Sequence, residues 1–262
     1  MVMLHKITKK INEWLCQKYF CPVCNKKVSH FLPLPGTYKE MLSNNGFAYS
    51  LNDAETLNCE AYSCPYCFAS DRDRLYALYI SAYFNNNSVS NISLLEIAPS
   101  KPLTIYLKQT QKITIRTADL MMQGVDDQVD ITNMSCYQDS SFDMFICSHV
   151  LEHVPDDSKA MRELNRILKP GGWGILMVPI FLTVVEIDED PLEDAISERW
   201  RRFGQDDHIR MYSKSAFLER VIAAGFNLRQ LDQNSFGAGA FDKNGISSTS
   251  VLYIVEKLNI TQ

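Results

Sequence analysis

Cys21-Pro-Val-Cys24 and Cys64-Pro-Tyr-Cys67 are two turns of one design, each setting a pair of thiols three residues apart with a proline to stiffen the turn. Two such knuckles supply the four ligands that a tetrahedral zinc ion requires. Four thiolates leave no open position for water, so the zinc expected on Cys21, Cys24, Cys64 and Cys67 is structural. A redox dithiol fits poorly, because neither pair opens a thioredoxin-like strand-helix-strand pattern. Of the eight cysteines, Cys59 is close enough to replace Cys64 as a ligand, whereas Cys16, Cys136 and Cys147 stand apart.

The second set is acidic. Glu96, Asp119 and Asp130 each fall near the end of a short apolar run, with Asp119 placed 23 positions after Glu96. Nucleotide-binding α/β folds use a carboxylate at about that distance to accept both ribose hydroxyls. The third set is basic at the right acidity. His149 directly follows the run Phe142 to Cys147, and His208 sits beside Asp206 and Asp207, where a carboxylate could orient its ring and raise its basicity. His153 reads as a residue that satisfies backbone groups at a helix start, and the acids from Glu186 to Asp194 read as a solvated face.

These residues need elements to position them. Phe142 to Cys147 has the composition of a buried parallel strand, and Ala160, Met161, Leu164, Ile167 and Leu168 recur at helical spacing after a cap at Asp156 or Asp157. Lys169-Pro170-Gly171-Gly172 stops that helix, and Trp173 to Pro179 is the next strand, reached by a right-handed crossover. Upstream, a helix begins at Ser70, and strands are expected at Ile92 to Ile97, Ile113 to Leu120 and Val129 to Thr132. Downstream, Ser213 caps a helix that Gly225 ends, and Phe226 to Leu231 and Val251 to Val255 form a closing hairpin. The chain therefore divides into an amphipathic helix over 1–20, a metal-binding module over 21–69 and an α/β domain over 70–262, with an insertion over 181–212. Such an insertion lies at the carboxyl edge of the sheet and is a candidate substrate lid.

With 46% apolar and 22% charged residues the chain can bury a full core, and its formal charge of −5 provides no global basic field for nonspecific nucleic-acid binding. No apolar run reaches the length of a membrane span, and the first residues lack the apolar centre of a secretion signal, so a cytoplasmic location is expected. Nothing in the composition sets the oligomeric state.

The stretch FDMFICSHVLEHVPD followed by RELNRILKPGGWGILMVP resembles the centre of class I S-adenosylmethionine-dependent methyltransferases, where LEH follows the fourth strand and LKPGG precedes the fifth. The resemblance covers roughly Leu94 to Gly225. It implies a doubly wound, seven-stranded Rossmann-like sheet with an antiparallel terminal hairpin, and S-adenosylmethionine as the methyl donor. It also implies cofactor contacts from Glu96 to the methionine amino group, from Ala98, Pro99 and Ser100 in the first loop, from Asp119 and Leu120 to the ribose, from Asp130 and Ile131 to the adenine, and from Ser148 and His149. The family's first loop usually reads E/D-x-G-x-G; here it is Glu96-Ile97-Ala98-Pro99-Ser100, without either glycine. Alanine and serine allow the same close approach only if their φ stays negative.

The knuckles, the HVLEHVPDD segment and ERWRRFGQDDHIR together look like bacterial methyltransferases of surface polysaccharide and glycan assembly. The resulting expectation is O-methylation of a sugar or other small polar acceptor, with His208 or His149 as the base and Asp207 as its partner. Two alternatives stand beside it. One is an RNA base methyltransferase whose Arg199, Arg201, Arg202 and Arg210 contact phosphates, although acids interleave them. The other is a zinc-bearing interaction protein with a degenerate cofactor site.

Overall fold

A computed structural model describes residues 18–259. Tyr19–Cys21 (β1) and Lys26–Val28 (β2) form an antiparallel hairpin around the first knuckle. Helix Gly36–Asn44 (α1) and a 3-10 turn over Leu51–Asp53 follow, and the chain then reaches the second knuckle. Asp71–Asn86 (α2) starts at a capping box, in which Ser70 Oγ accepts from the Asp73 amide and Asp73 accepts from the Ser70 amide.

The α/β domain continues with Ile92–Ile97 (β3), Lys101–Gln109 (α3), Ile113–Asp119 (β4), Asp127–Gln128 (β5) and Phe142–Ser148 (β6). A 3-10 turn over Leu151–His153 leads to Asp157–Ile167 (α4), capped by Asp156, and then to Leu168–Met177 (β7). The insertion holds Asp188–Glu189 (β8), Ile196–Phe203 (α5) and Arg210–Met211 (β9). Lys214–Ala223 (α6), Phe226–Leu231 (β10), Ala240–Lys243 (α7) and Leu252–Lys257 (β11) complete the described chain.

The large sheet has the order β10-β11-β7-β6-β3-β4-β5, in which β11 alone runs against its neighbours. The doubly wound, seven-stranded α/β architecture with a terminal antiparallel hairpin is thus the one expected. Leu94, Leu95, Phe145, Ile175 and Leu176 are fully buried, because helices cover both faces of a parallel sheet and solvent reaches neither. Strand order reverses at β3 and β6, so the crevice beyond their carboxyl ends is where such sheets hold ligands.

Three local expectations change. The third strand is Asp127–Gln128 rather than Val129 to Thr132, because Asp130 turns the chain by accepting the Thr132 amide (2.8 Å). The Lys169-Pro170-Gly171-Gly172 stop lies inside β7 as an irregularity in its register with β6, where Gly171 takes φ +75°. The expected helix over 1–20 lies mostly outside the described residues, and its last residues, Tyr19 and Phe20, belong to β1 instead.

The segment between the knuckles does not stay within a module of its own. Phe47 packs on Phe181 with ring centroids 5.4 Å apart, and Tyr38 donates to the Gly204 carbonyl (3.1 Å). Ala54, Phe181, Val184, Phe203 and Met211 form a small separate core beneath it. The cysteine-bearing segment and the insertion therefore close over one side of the sheet together.

Arg74 of α2 ties these parts to the terminal hairpin. Its fully buried guanidinium lies on the Phe31 ring and donates to the carbonyls of Ala61, Tyr62 (3.1 Å), Ala69 (2.9 Å), Asn244 (2.7 Å) and Gly245 (2.9 Å). Arg74→Ala strands these acceptors and is expected to cost about 3–5 kcal/mol, lowering the melting temperature by roughly 10 °C. A fluorimetric melt that moves by less than about 3 °C contradicts this role.

Candidate functional site

A cavity of about 310 Å³ opens beyond the ends of β3 and β6. Glu96 and Ala98 line it from β3 and its loop, Ser100 from the start of α3, Ser148 from β6, and Asp73 and Tyr76 from α2. Tyr62 and Phe68, from the cysteine-bearing segment, complete its wall. Glu96 is only 1% exposed; one oxygen accepts from Thr104 Oγ1 (2.7 Å) and the other from the Ser100 amide (3.3 Å). Burial dominates its acidity, raising the carboxyl to about 7 despite those two hydrogen bonds and with help from the nearby charge of Asp73.

Ala98 adopts φ +49°, the left-handed conformation that glycine normally supplies. The expectation of a negative φ fails here because the loop keeps the path of a glycine loop, with the Ala98 amide bonded to the Ala118 carbonyl (2.9 Å). Holding alanine there costs on the order of 1–2 kcal/mol.

Pro99, Asp119, Leu120, Asp130 and Ile131, also expected at the cofactor, are not among the residues lining this cavity. Pro99 sits in the bend between Ala98 and Ser100. Asp119 ends the neighbouring strand β4, where Oδ1 accepts the amides of Met121 and Met122 (both 2.7 Å) while its other oxygen makes no hydrogen bond among the described residues. Leu120 is exposed, Asp130 caps its own turn, and Ile131 is buried in the main core.

A second cavity of about 380 Å³ adjoins the first, and Tyr62 and Arg72 belong to the walls of both. His149, Glu152 and His153 enter it from the segment after β6, and Gln205 and His208 from the insertion. Its other walls include Leu34, Tyr38, Leu51, Leu57 and Phe181. His149 takes φ +57°, which turns its ring from the sheet toward this space. Arg72 Nη1 donates to His149 Nε2; a guanidinium can only donate, so the ring proton is on Nδ1, 3.3 Å from Glu152 Oε1. Burial pushes His149 down to about 4, and the Arg72 guanidinium adds to the effect.

His208 is held differently from expectation. Its Nδ1 donates to the Phe203 carbonyl (3.0 Å), so Nε2 carries the lone pair, and the carboxylate it faces is Glu152 at 3.9 Å. Asp207, expected as its orienting partner, instead meets His153 Nδ1 (3.2 Å) on the exposed side of the insertion. The correction follows from the chain path, since the α5 terminus faces His208 inward and leaves Asp207 outside. Glu152, Arg72, Tyr38 and Tyr62 were not singled out in the sequence, although Glu152 stands in the LEH motif itself.

The four expected thiols converge. Cys21 and Cys67 Sγ lie 3.7 Å apart, Cys24 and Cys64 Sγ lie 3.9 Å apart, and all four fall within 4.8 Å of one another with no disulfide between them. Sulfurs at tetrahedral positions about 2.3 Å from zinc would be about 3.8 Å apart, so the set fits the ion. Cys59 is outside the cluster and borders a different pocket beside Asn58 and Phe241.

The arginines that RNA phosphates would require are already engaged. Arg201 pairs with Glu198, Arg202 with Asp188, Asp190 and Glu193, and Arg199 donates to the Glu193 carbonyl (2.7 Å). Arg210 is buried, bound to Glu189 and to carbonyls of the turn that follows β6. Among the described residues no helix is long and apolar enough to cross a membrane.

Comparison with known proteins finds partial likenesses. Residues 104–176 match the family model described as a methyltransferase domain. The chain is 32% identical over 69 residues to a ubiquinone biosynthesis O-methyltransferase of Albidiferax ferrireducens, covering 26% of each chain. It is 36% identical over 53 residues to the sterol 4-C-methyltransferase strm-1 of Caenorhabditis elegans, covering 19% of this chain and 16% of that one. The chain thus spans about a quarter or less of the length of these curated relatives. Among solved structures, an S-adenosylmethionine-dependent methyltransferase from Mesorhizobium loti aligns with TM-score 0.45 at 13% identity, over 68% of this chain and 97% of that one. Phosphoethanolamine N-methyltransferase 2 of Haemonchus contortus, in complex with S-adenosyl-L-methionine, aligns with TM-score 0.45 at 14% identity, over 70% and 52%.

Proposed function

We propose that this protein is an S-adenosylmethionine-dependent methyltransferase that methylates a hydroxyl on a small acceptor. The observation that carries the reading is the pair of adjoining cavities. One holds a buried acid at the strand-order reversal, the other is lined by imidazoles, and the two share the walls formed by Arg72 and Tyr62. The match of residues 104–176 to a methyltransferase domain supports the same reaction class.

The donor supplies a sulfonium methyl group that is already electrophilic. What the chain supplies is position and a proton acceptor. Glu96 would pair with the amino-acid ammonium, and the free oxygen of Asp119 and the Asp130 carboxylate would be the groups to take the ribose and adenine. The acceptor oxygen would bond to the methyl carbon as the carbon–sulfur bond breaks and its electron pair stays on sulfur, and the hydroxyl proton would pass to Nε2 of His208, because Arg72 occupies the lone pair of the other expected base, His149. Four cysteines hold a structural zinc ion that fixes Tyr62 and Phe68 against the first cavity.

A sugar is the acceptor expected from sequence. The apolar walls at Leu34, Leu51, Leu57 and Phe181 favour a second class, a hydroxyl on a ring with apolar faces such as a phenol. Transfer of labelled methyl to nucleotide sugars and to phenols, run side by side, separates the two.

The acidity of Glu96 tests cofactor placement. Its folded value is raised from 4.5 to about 7, so in the ligand-free protein its contribution to stability is present below about pH 4.5 and declines as pH rises through 7, by up to about 3 kcal/mol. An ammonium ligand needs the ionised form. Affinity for S-adenosylhomocysteine is therefore expected to fall about tenfold per pH unit below 7 and to level off above 8. A calorimetric affinity that is flat from pH 5.5 to 8 contradicts this placement.

A further inference from the structure

We propose that Glu152, His153 and His208 bind a divalent transition-metal ion whose remaining positions open onto the second cavity. One ligand atom from each of the three residues lies within 4.8 Å of the others. Glu152 has no exposed surface, and neither of its carboxylate oxygens makes a hydrogen bond among the described residues. His149 Nδ1 reaches 3.3 Å from Oε1 without the alignment of one. A buried carboxylate left in that state is costly, and it points at the gap between the two imidazoles.

The imidazoles are prepared to face it. The Phe203 carbonyl takes the Nδ1 proton of His208 and leaves the Nε2 lone pair directed at Glu152, 3.9 Å away. Asp207 Oδ2 lies 3.2 Å from Nδ1 of His153, and the two rings meet edge to face at 4.6 Å. Backbone carbonyls and carboxylates placed behind imidazoles are the usual supports of metal-bound histidines. Two imidazoles and one carboxylate suit manganese, iron, cobalt, nickel or zinc rather than calcium. Ligands around such an ion at about 2.1 Å lie roughly 3 Å apart, so the three side chains draw together by about 1–2 Å on binding.

Binding itself is independent of the proposed methyl transfer; the role of the ion rests on it. An acceptor hydroxyl reaching an open position becomes more acidic, loses its proton to water and presents its oxygen to the methyl group. His208 then serves as a ligand rather than as the base.

The test is titration of the purified, zinc-containing protein with Mn²⁺, followed by the electron paramagnetic resonance signal of the free ion. Manganese has little preference for thiolates, so the cysteine cluster does not compete. One bound Mn²⁺ per chain is expected, with affinity reduced more than about tenfold in each of Glu152→Gln, His208→Ala and the partly exposed His153→Ala. No binding at millimolar Mn²⁺, or binding unchanged in His153→Ala and in whichever other variants retain a cooperative melt, overturns the site. A proton shared between Glu152 and His208 is then the remaining account. S-adenosylhomocysteine affinity measured on the same samples reports the first cavity separately, so failure of the metal site and failure of the methyltransferase reading give different results.

Discussion

Cys64→Ser is expected to abolish S-adenosylhomocysteine binding although Cys64 is not among the residues that line the first cavity. Structural zinc sites in isolated modules contribute an apparent 10–16 kcal/mol, on the order of the whole stability of a domain, and a hydroxyl in place of one thiolate removes much of it. The path from the cluster to the cavity is short. The Cys64 amide bonds to the Ala69 carbonyl (2.9 Å), the Phe68 amide to the Cys64 carbonyl (2.9 Å), and Phe68 is held at φ +61° between them. Tyr62 and Phe68 wall the cavity on either side of this turn, and Ser70 caps the helix that contributes Asp73 and Tyr76. Without the ion the turn keeps these backbone hydrogen bonds and the Arg74 bond to the Ala69 carbonyl (2.9 Å), and loses the four-thiolate anchor. Zinc analysis of the wild type should give one ion per chain, and a strong chelator should reproduce the loss of binding. A Cys64→Ser protein that melts and binds like the wild type removes the proposed link between the cluster and the cavity.

The second large effect is expected at His208. Alanine there should lower turnover by about 10²–10⁴-fold, whether the imidazole acts as base or as metal ligand. Affinity for S-adenosylhomocysteine should stay within about threefold of wild type, because His208 lines the second cavity and not the first. Asp207→Asn should cost far less, since that carboxylate is mostly exposed and meets His153 and the Gln205 amide rather than His208. Turnover of His208→Ala within about threefold of wild type, measured with any acceptor that the wild type methylates, contradicts its proposed place in the reaction.

The sheet was legible because parallel strands buried on both faces write continuous apolar runs, as in Leu94-Leu95 and Phe145-Ile146, and because Asp156 and Ser213 mark helix starts by chemistry that acts within a few residues. The four thiols were legible because metal geometry constrains spacing inside each knuckle. The walls of the acceptor cavity were not. Leu34, Tyr38 and Leu57 reach it through a packing contact between two loops about 130 residues apart, Phe47 on Phe181, and no local pattern encodes such a contact. The expectation of Asp207 as the partner of His208 fails for a related reason. Sequence adjacency puts an acid beside His208, but the turn after α5 sends neighbouring side chains to opposite sides, and the buried partner comes from the segment after β6. Ala98 shows a loop whose backbone keeps a glycine conformation after the glycine has gone, which residue identity alone does not disclose.

The claim beneath all of this is that the buried acid at the end of β3 receives an aminoacyl ammonium. Calorimetry of S-adenosylhomocysteine with wild type and Glu96→Gln at pH 8 tests it most directly. The account predicts saturable binding of one ligand per chain, weakened by about 10–100-fold when the carboxylate becomes an amide. Absence of binding at millimolar ligand, or equal affinity in the two proteins, contradicts it.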